Sequence, residues 1–181
     1  MQLNIRVEGL DEIIRGMNDP QSIAGPVNGA MQKSAFWIRQ AMVERAPVGV
    51  SGGSGAGLQG SISVAFAPPS PLIEWATIGP RVFYGVFVAL GTRPHWPPWG
   101  EGSPLREWVR LKVLRRGVRP RKGKTADAEV RSVAFLIARK ISRVGTKPNP
   151  FVRDTFQEAA QVVPGFFDDA AAEITENLSR G

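Results

Sequence analysis

The chain of 181 residues contains one histidine, His95, so any acid–base chemistry by imidazole rests on it alone. It lies in the stretch YGVFVALGTRPHWPPWG (residues 84–100), with Thr92 three positions upstream as the nearest hydroxyl. Nucleophilic catalysis there needs a carboxylate to hold the ring and a nucleophile facing it. No acid occurs between Arg81 and Gly100, so the constellation lacks its other members. Asp168 and Asp169 are adjacent on an expected helix and diverge. No metal-ligand spacing is present, and there is no cysteine to serve as thiolate or ligand. Gly55-Ala-Gly57-Leu-Gln-Gly60 matches the dinucleotide fingerprint G-x-G-x-x-G. It follows a helical pattern and enters a strand pattern, the reverse of what pyrophosphate binding at a helix N-terminus requires. The reading is a non-enzymatic chain with no cofactor.

Charge is the stronger signal. Of the formal net charge of +7, residues 106–147 hold 14 basic and 3 acidic side chains, or +11, leaving −4 for the remainder. Arg115, Arg116, Arg119, Arg121, Lys122 and Lys124 crowd its centre, in a loop rich in glycine and proline. Such a cluster suits contact with duplex DNA through phosphates, or with an acidic protein surface. No helix-turn-helix, zinc-finger or RNP motif accompanies it, which argues against base reading.

These groups must be positioned by one α+β domain. Leu3, Ile5 and Val7 alternate with polar residues as a short strand. A short helix is expected over 10–17. A long one carries Val27, Met31, Ala35, Ile38 and Met42 on one face and must end by Ala46, before Pro47. Residues 48–60 read as a flexible glycine loop. Runs from Ser61 to Ala67, Leu72 to Ile78 and Val82 to Leu90 read as strands, giving an antiparallel sheet of about four strands, with Glu74 able to face Arg81 across a hairpin. Ser103-Pro104 and Thr125 open two helices of a basic insertion, with stripes Leu105, Trp108, Val109, Leu111 and Val130, Val133, Ala134, Ile137, Ile141. On the first, Arg106, Arg110 and Lys112 are expected to point away from the stripe. Asn149-Pro150 opens a final helix with Val152, Phe156, Ala159 and Val163 inward; Pro164-Gly165 should kink or break it before Phe167, Ala171, Ile174 and Leu178. The first residues lack the basic flank and apolar core of an export signal, and no apolar run has the length of a membrane span.

The order of elements, with "ERAPVG", "GLQGSI", "YGVFVALGT" and "KPNPFVRDTF", resembles the neck or tail-completion family at the head–tail joint of long-tailed bacteriophages. Tyr84, Gly91 and Thr92 match one signature of that family, with Gly85 and Ala89 in place of its alanine and glutamate. Pro150, Phe151 and Arg153 match a second, with Val152 for leucine and Asp154 for proline. The likeness spans 1–92 and 146–178; residues 93–145 read as an enlarged connection. It implies a homo-oligomeric, six-fold ring around a DNA channel, assembled in the host cytoplasm into the virion. Its partners would be the head-closure or connector protein and the tail terminator or tail tube, with no membrane. On that reading Arg93, His95, Trp96 and Trp99 form a proline-stiffened docking loop, since aromatics on rigid loops make good interface anchors. The alternative is a stand-alone, non-sequence-specific DNA-binding protein using 106–147.

Overall fold

A computed structural model describes residues 2–8, 20–48, 57–68, 72–115 and 125–179, with backbone alone for 113–115. The chain divides into two compact units, one of residues 1–46, 61–81 and 150–181, the other of 47–60 and 82–149.

The first unit is built on a sheet and two long helices. Strands β1 (Leu3–Arg6), β2 (Ile62–Phe66) and β3 (Trp75–Pro80) form an antiparallel sheet in the order β1-β3-β2. The register sets Leu3 and Val64 opposite Ile78, and Ile5 and Phe66 opposite Ala76. One face is therefore apolar, while Asn4 and Thr77 pair on the other, their side chains 2.8 Å apart. Bonds from Val7 N to the Glu74 carbonyl and from Arg81 N to the Ser61 carbonyl extend the ladder past both ends of β3.

Helix α1 (Gln21–Arg45) packs on β2 and β3 and, more extensively, on the carboxy-terminal helix. All five expected stripe residues, Val27, Met31, Ala35, Ile38 and Met42, are buried. The helix stops where the sequence requires: Ala46 is extended, the conformation proline imposes on its predecessor. Pro26 sits inside the helix and has no N–H to give the Ser22 carbonyl four residues earlier. Asn177 Nδ2 donates to that carbonyl instead, at 3.2 Å. Ile23, Ala24, Val27 and Leu72 make a core cluster with Phe167 and Ile174 against it.

The helix after Pro150 runs unbroken from Phe151 to Ser179, with Pro164 in its interior. The expected break is absent because the buried stripe keeps one phase on both sides of the proline, through Val152, Thr155, Ala159 and then Ala170. Thr155 takes the inward place expected for Phe156, satisfying its hydroxyl on the Phe151 carbonyl at 2.7 Å. Phe156, Ala171 and Leu178, expected inside, are exposed.

In the second unit, the glycine loop is not wholly loop. Gly57–Ser61 is a short helix, α2, and Leu58 in it is buried; the rest of the expected loop, 49–56, lies outside the described residues, as does the expected helix at 10–17. The run from Val82 to Leu90 is not a fourth strand. Residues Gly85–Leu90 form helix α3, which buries Gly85 and Ala89, four residues apart. Small side chains at that spacing let one side of a helix sit close to its neighbours and turn the bulky ones outward. Glu74 and Arg81 consequently do not face each other across a hairpin: they flank β3, about 23 Å apart at strand rise.

Helices α4 (Pro104–Arg115) and α5 (Ala126–Val144) pack together through Val109, Val130 and Ala134, with Leu105, Val133 and Ile137 around them. Both expected caps are present: Ser103 Oγ accepts from Arg106 N at 3.3 Å, and Thr125 Oγ1 from Ala128 N at 3.2 Å. With the carboxy-terminal helix numbered α6 (Phe151–Ser179), the fold is α+β, with three strands among the described residues rather than about four.

Candidate functional site: an apolar ridge and the loop beside it

Helix α3 presents an apolar surface to solvent. Phe83, Phe87 and Leu90 are 81%, 53% and 64% exposed, and Val86 and Tyr84 are partly so. The Phe83 ring stands edge-on to Phe87 at 6.5 Å and to Tyr84 at 6.1 Å. Isolated apolar side chains on a surface need no explanation, but contiguous ones mark contacts. At the foot of this ridge a cavity of about 640 Å³ is lined by Val86, Phe87, Leu90 and the following Gly91–His95. Sequence reasoning missed the ridge, because a strand would have buried alternate members of the run. Gly85 and Ala89, four residues apart, share a side in a strand as they do in a helix, so their spacing gave no signal that separates the two.

The exit from α3 is pinned by a reciprocal contact. Thr92 and Thr146 form an isolated antiparallel bridge, exchanging backbone bonds of 3.2 Å each way, with their hydroxyls 3.0 Å apart. Gly91 and Gly145, which precede them, have φ of 74° and 70° with extended ψ, a region that is essentially glycine's alone. A Cβ on Gly91 would lie 2.5 Å from the Thr146 carbonyl oxygen, and one on Gly145 1.9 Å from that of Thr92. The Gly-Thr signature thus serves a close backbone crossing. Asn149 N adds a bond to the Val88 carbonyl at 3.0 Å, and Tyr84 sits at the N-cap of α3.

Beyond the crossing, the proline loop is laid along α5. His95 N bonds the Ile141 carbonyl, and Trp96 and Trp99 both contact the Phe135 ring, at 6.2 and 5.2 Å between centroids. Trp96 keeps 57% of its surface in solvent, and Arg93 and His95 are exposed. The His95 Nδ1 lies 2.9 Å from the Arg93 carbonyl oxygen, a contact within the loop. No carboxylate reaches the ring among the described residues, and no cluster of three potential metal ligands occurs among them.

Of the expected basic contact residues, Arg116, Arg119, Arg121, Lys122 and Lys124 lie outside the described residues, as does the Arg115 side chain. Arg106 is not on a solvated face: it is buried between α4 and α5 and donates to Asp127 Oδ2 at 2.7 Å. Arg110 reaches Asp127 Oδ1 at 3.4 Å and Glu107 at 2.9 Å. On α5 and just after it, Arg131, Arg139, Lys140, Arg143 and Lys147 are exposed and pair with no carboxylate among the described residues. Of the second signature, Phe151 is buried, Pro150 gives its carbonyl to Asp154 N to begin α6, and Arg153 is exposed beside Asp154.

The hydrogen bond from Arg106, above all, lowers the Asp127 carboxyl below its ordinary value of 3.8; partial desolvation opposes this, while the Arg106 charge and contacts from Arg110 add to it. A depressed folded value means that the stabilisation is present at neutral pH and is lost as pH falls through that value. Thermal unfolding should therefore show wild type more stable than Asp127→Asn at pH 7, and the gap should close toward pH 3. A gap independent of pH would show the carboxylate charge to be irrelevant.

No protein-family model, curated protein or solved structure matches the chain. No helix among the described residues is long and apolar enough to cross a membrane.

Proposed function

We propose that the chain is a structural protein of a bacteriophage head–tail joint, a ring-forming neck or tail-completion component that links head connector to tail around the DNA channel. The observation that carries this reading is the ridge of Phe83, Phe87 and Leu90, an exposed apolar surface grown from the same segment that bears the Tyr84 and Gly91-Thr92 signature. Its neighbours, the stiff loop with Trp96 and the exposed cations of α5, supply a second contact surface of the kind joint proteins need toward other rings. Electron cryo-microscopy of purified virions containing the chain tests it. The expected result is ring density for this chain between head and tail; its absence from the particle, or a place elsewhere in it, overturns the proposal.

Arg131, Arg139, Lys140, Arg143 and Lys147, exposed and paired with no carboxylate among the described residues, favour DNA contact as a second reading. Phosphate contact of that kind gives a log affinity that falls linearly with log salt, by about 0.9 per phosphate neutralised, whatever the duplex sequence.

A further inference from the structure

The first unit carries its own apolar concavity. A groove of about 310 Å³ runs between edge strand β1 and α6, lined by Ile5, Ile38, Phe156, Ala160, Val163 and Pro164 among others. A cavity of about 150 Å³ holds one benzene ring, so this groove has room for two aromatic side chains. The chain thus bears an exposed apolar ridge on one unit and an apolar groove on the other.

Charge divides along the same boundary. The second unit holds 15 basic and 4 acidic residues, a net +11, and the first 8 basic and 12 acidic, a net −4. Close to the two surfaces the contrast persists. Arg93 borders the ridge, whereas Arg6, a cation lining the groove, is paired with Glu8. Beyond the Pro164 end of the groove, α6 displays Asp168, Asp169, Glu173 and Glu176, and no basic residue occurs from Asp154 to Ser179. Ridge against ridge would press two strongly cationic units together, whereas ridge against groove brings opposite charges face to face.

We infer that copies of this chain associate head to tail, the α3 ridge of one copy seating in the β1–α6 groove of the next. The inference rests on reading the chain as an assembly protein, and it names the surfaces. A heterologous contact of this type closes into a ring when its rotation permits.

Two variants test it, each altered only at exposed positions: a ridge variant, Phe87→Glu with Leu90→Glu, and a groove variant, Phe156→Asp with Ala160→Glu. Circular dichroism checks their folds, and sedimentation velocity reads their masses at low and high salt. Wild type is expected to form multi-chain species that shrink as salt rises. Each variant alone should sediment as the single 19.6 kDa chain. Mixed in equal amounts, they should form a species of two chains, one of each kind, because one intact ridge then meets one intact groove. A mixture that stays monomeric, or a groove variant that still dimerises through its ridge, overturns the head-to-tail contact. Wild type that is monomeric at every concentration does so too, and leaves the virion reading to the particle images.

Discussion

Gly145→Ala is expected to lower the unfolding free energy by about 3 kcal/mol or more, one part from forcing an L residue into a glycine-only backbone region and one part from overpacking. The new methyl would meet the Thr92 carbonyl at 1.9 Å, and that oxygen already accepts from Thr146 N. Backbone, unlike the end of a side chain, has no rotamer by which to yield. Gly165→Ala supplies the control. That glycine lies within helix α6 with open space where its Cβ would be, so alanine there should stabilise by about 0.5–1 kcal/mol. Chemical denaturation of both variants reads the contrast. A Gly145→Ala protein within about 1 kcal/mol of wild type would show that the crossing of the two strands is loose.

Phe151→Ala should cost about 3–5 kcal/mol, the range for deleting a fully buried ring. Phe151 is among the largest of the fully buried side chains and opens the helix against which α1 packs. Arg153, two residues on, is exposed, and among the described residues it pairs with its neighbour Asp154 alone. Its replacement by alanine should change stability by no more than about 0.5 kcal/mol. Denaturant midpoints at constant slope measure both. Equal losses at the two positions would mean that the signature Pro150-Phe151-Arg153 acts as one structural unit rather than as one anchor and one surface residue.

The elements that could be read from sequence were those whose apolar residues keep a single period and whose ends carry their own stop signals. Helix α1 met both conditions, with its stripe from Val27 to Met42 and Pro47 beyond, and α5 kept its stripe behind a threonine cap, whereas in α4 the serine cap was legible but Trp108 of the expected stripe is exposed and Arg106 is buried. Helix α3 met neither. In VFYGVFVAL nearly every residue is apolar, so periods of 2 and 3.6 are equally consistent with it, and only the tertiary surroundings decide. The resulting error hid the ridge, since a strand would set Phe83 and Phe87 on one face and Tyr84 and Leu90 on the other. The loop tryptophans stood out in the sequence, but Phe135, some forty positions later, could not be picked as their platform from spacing alone. Arg106 looked like one more member of a basic run, and became a buried partner of Asp127 only once α4 and α5 were laid together. Pro164 misled in the opposite sense, because a helix held along its whole length by a buried stripe tolerates one missing hydrogen bond.

The clasp between the Ser22 carbonyl and Asn177 joins residues 155 positions apart. On a ribosome adding about 5–20 residues per second, α1 is finished, and the side that α6 will cover stays bare, for roughly 7–27 s before α6 has been made. The 82–149 segment is translated in one piece within that interval. The first unit is therefore completed only after 82–149 has been made, and the nascent α1, not the finished protein, is the form most in need of a chaperone.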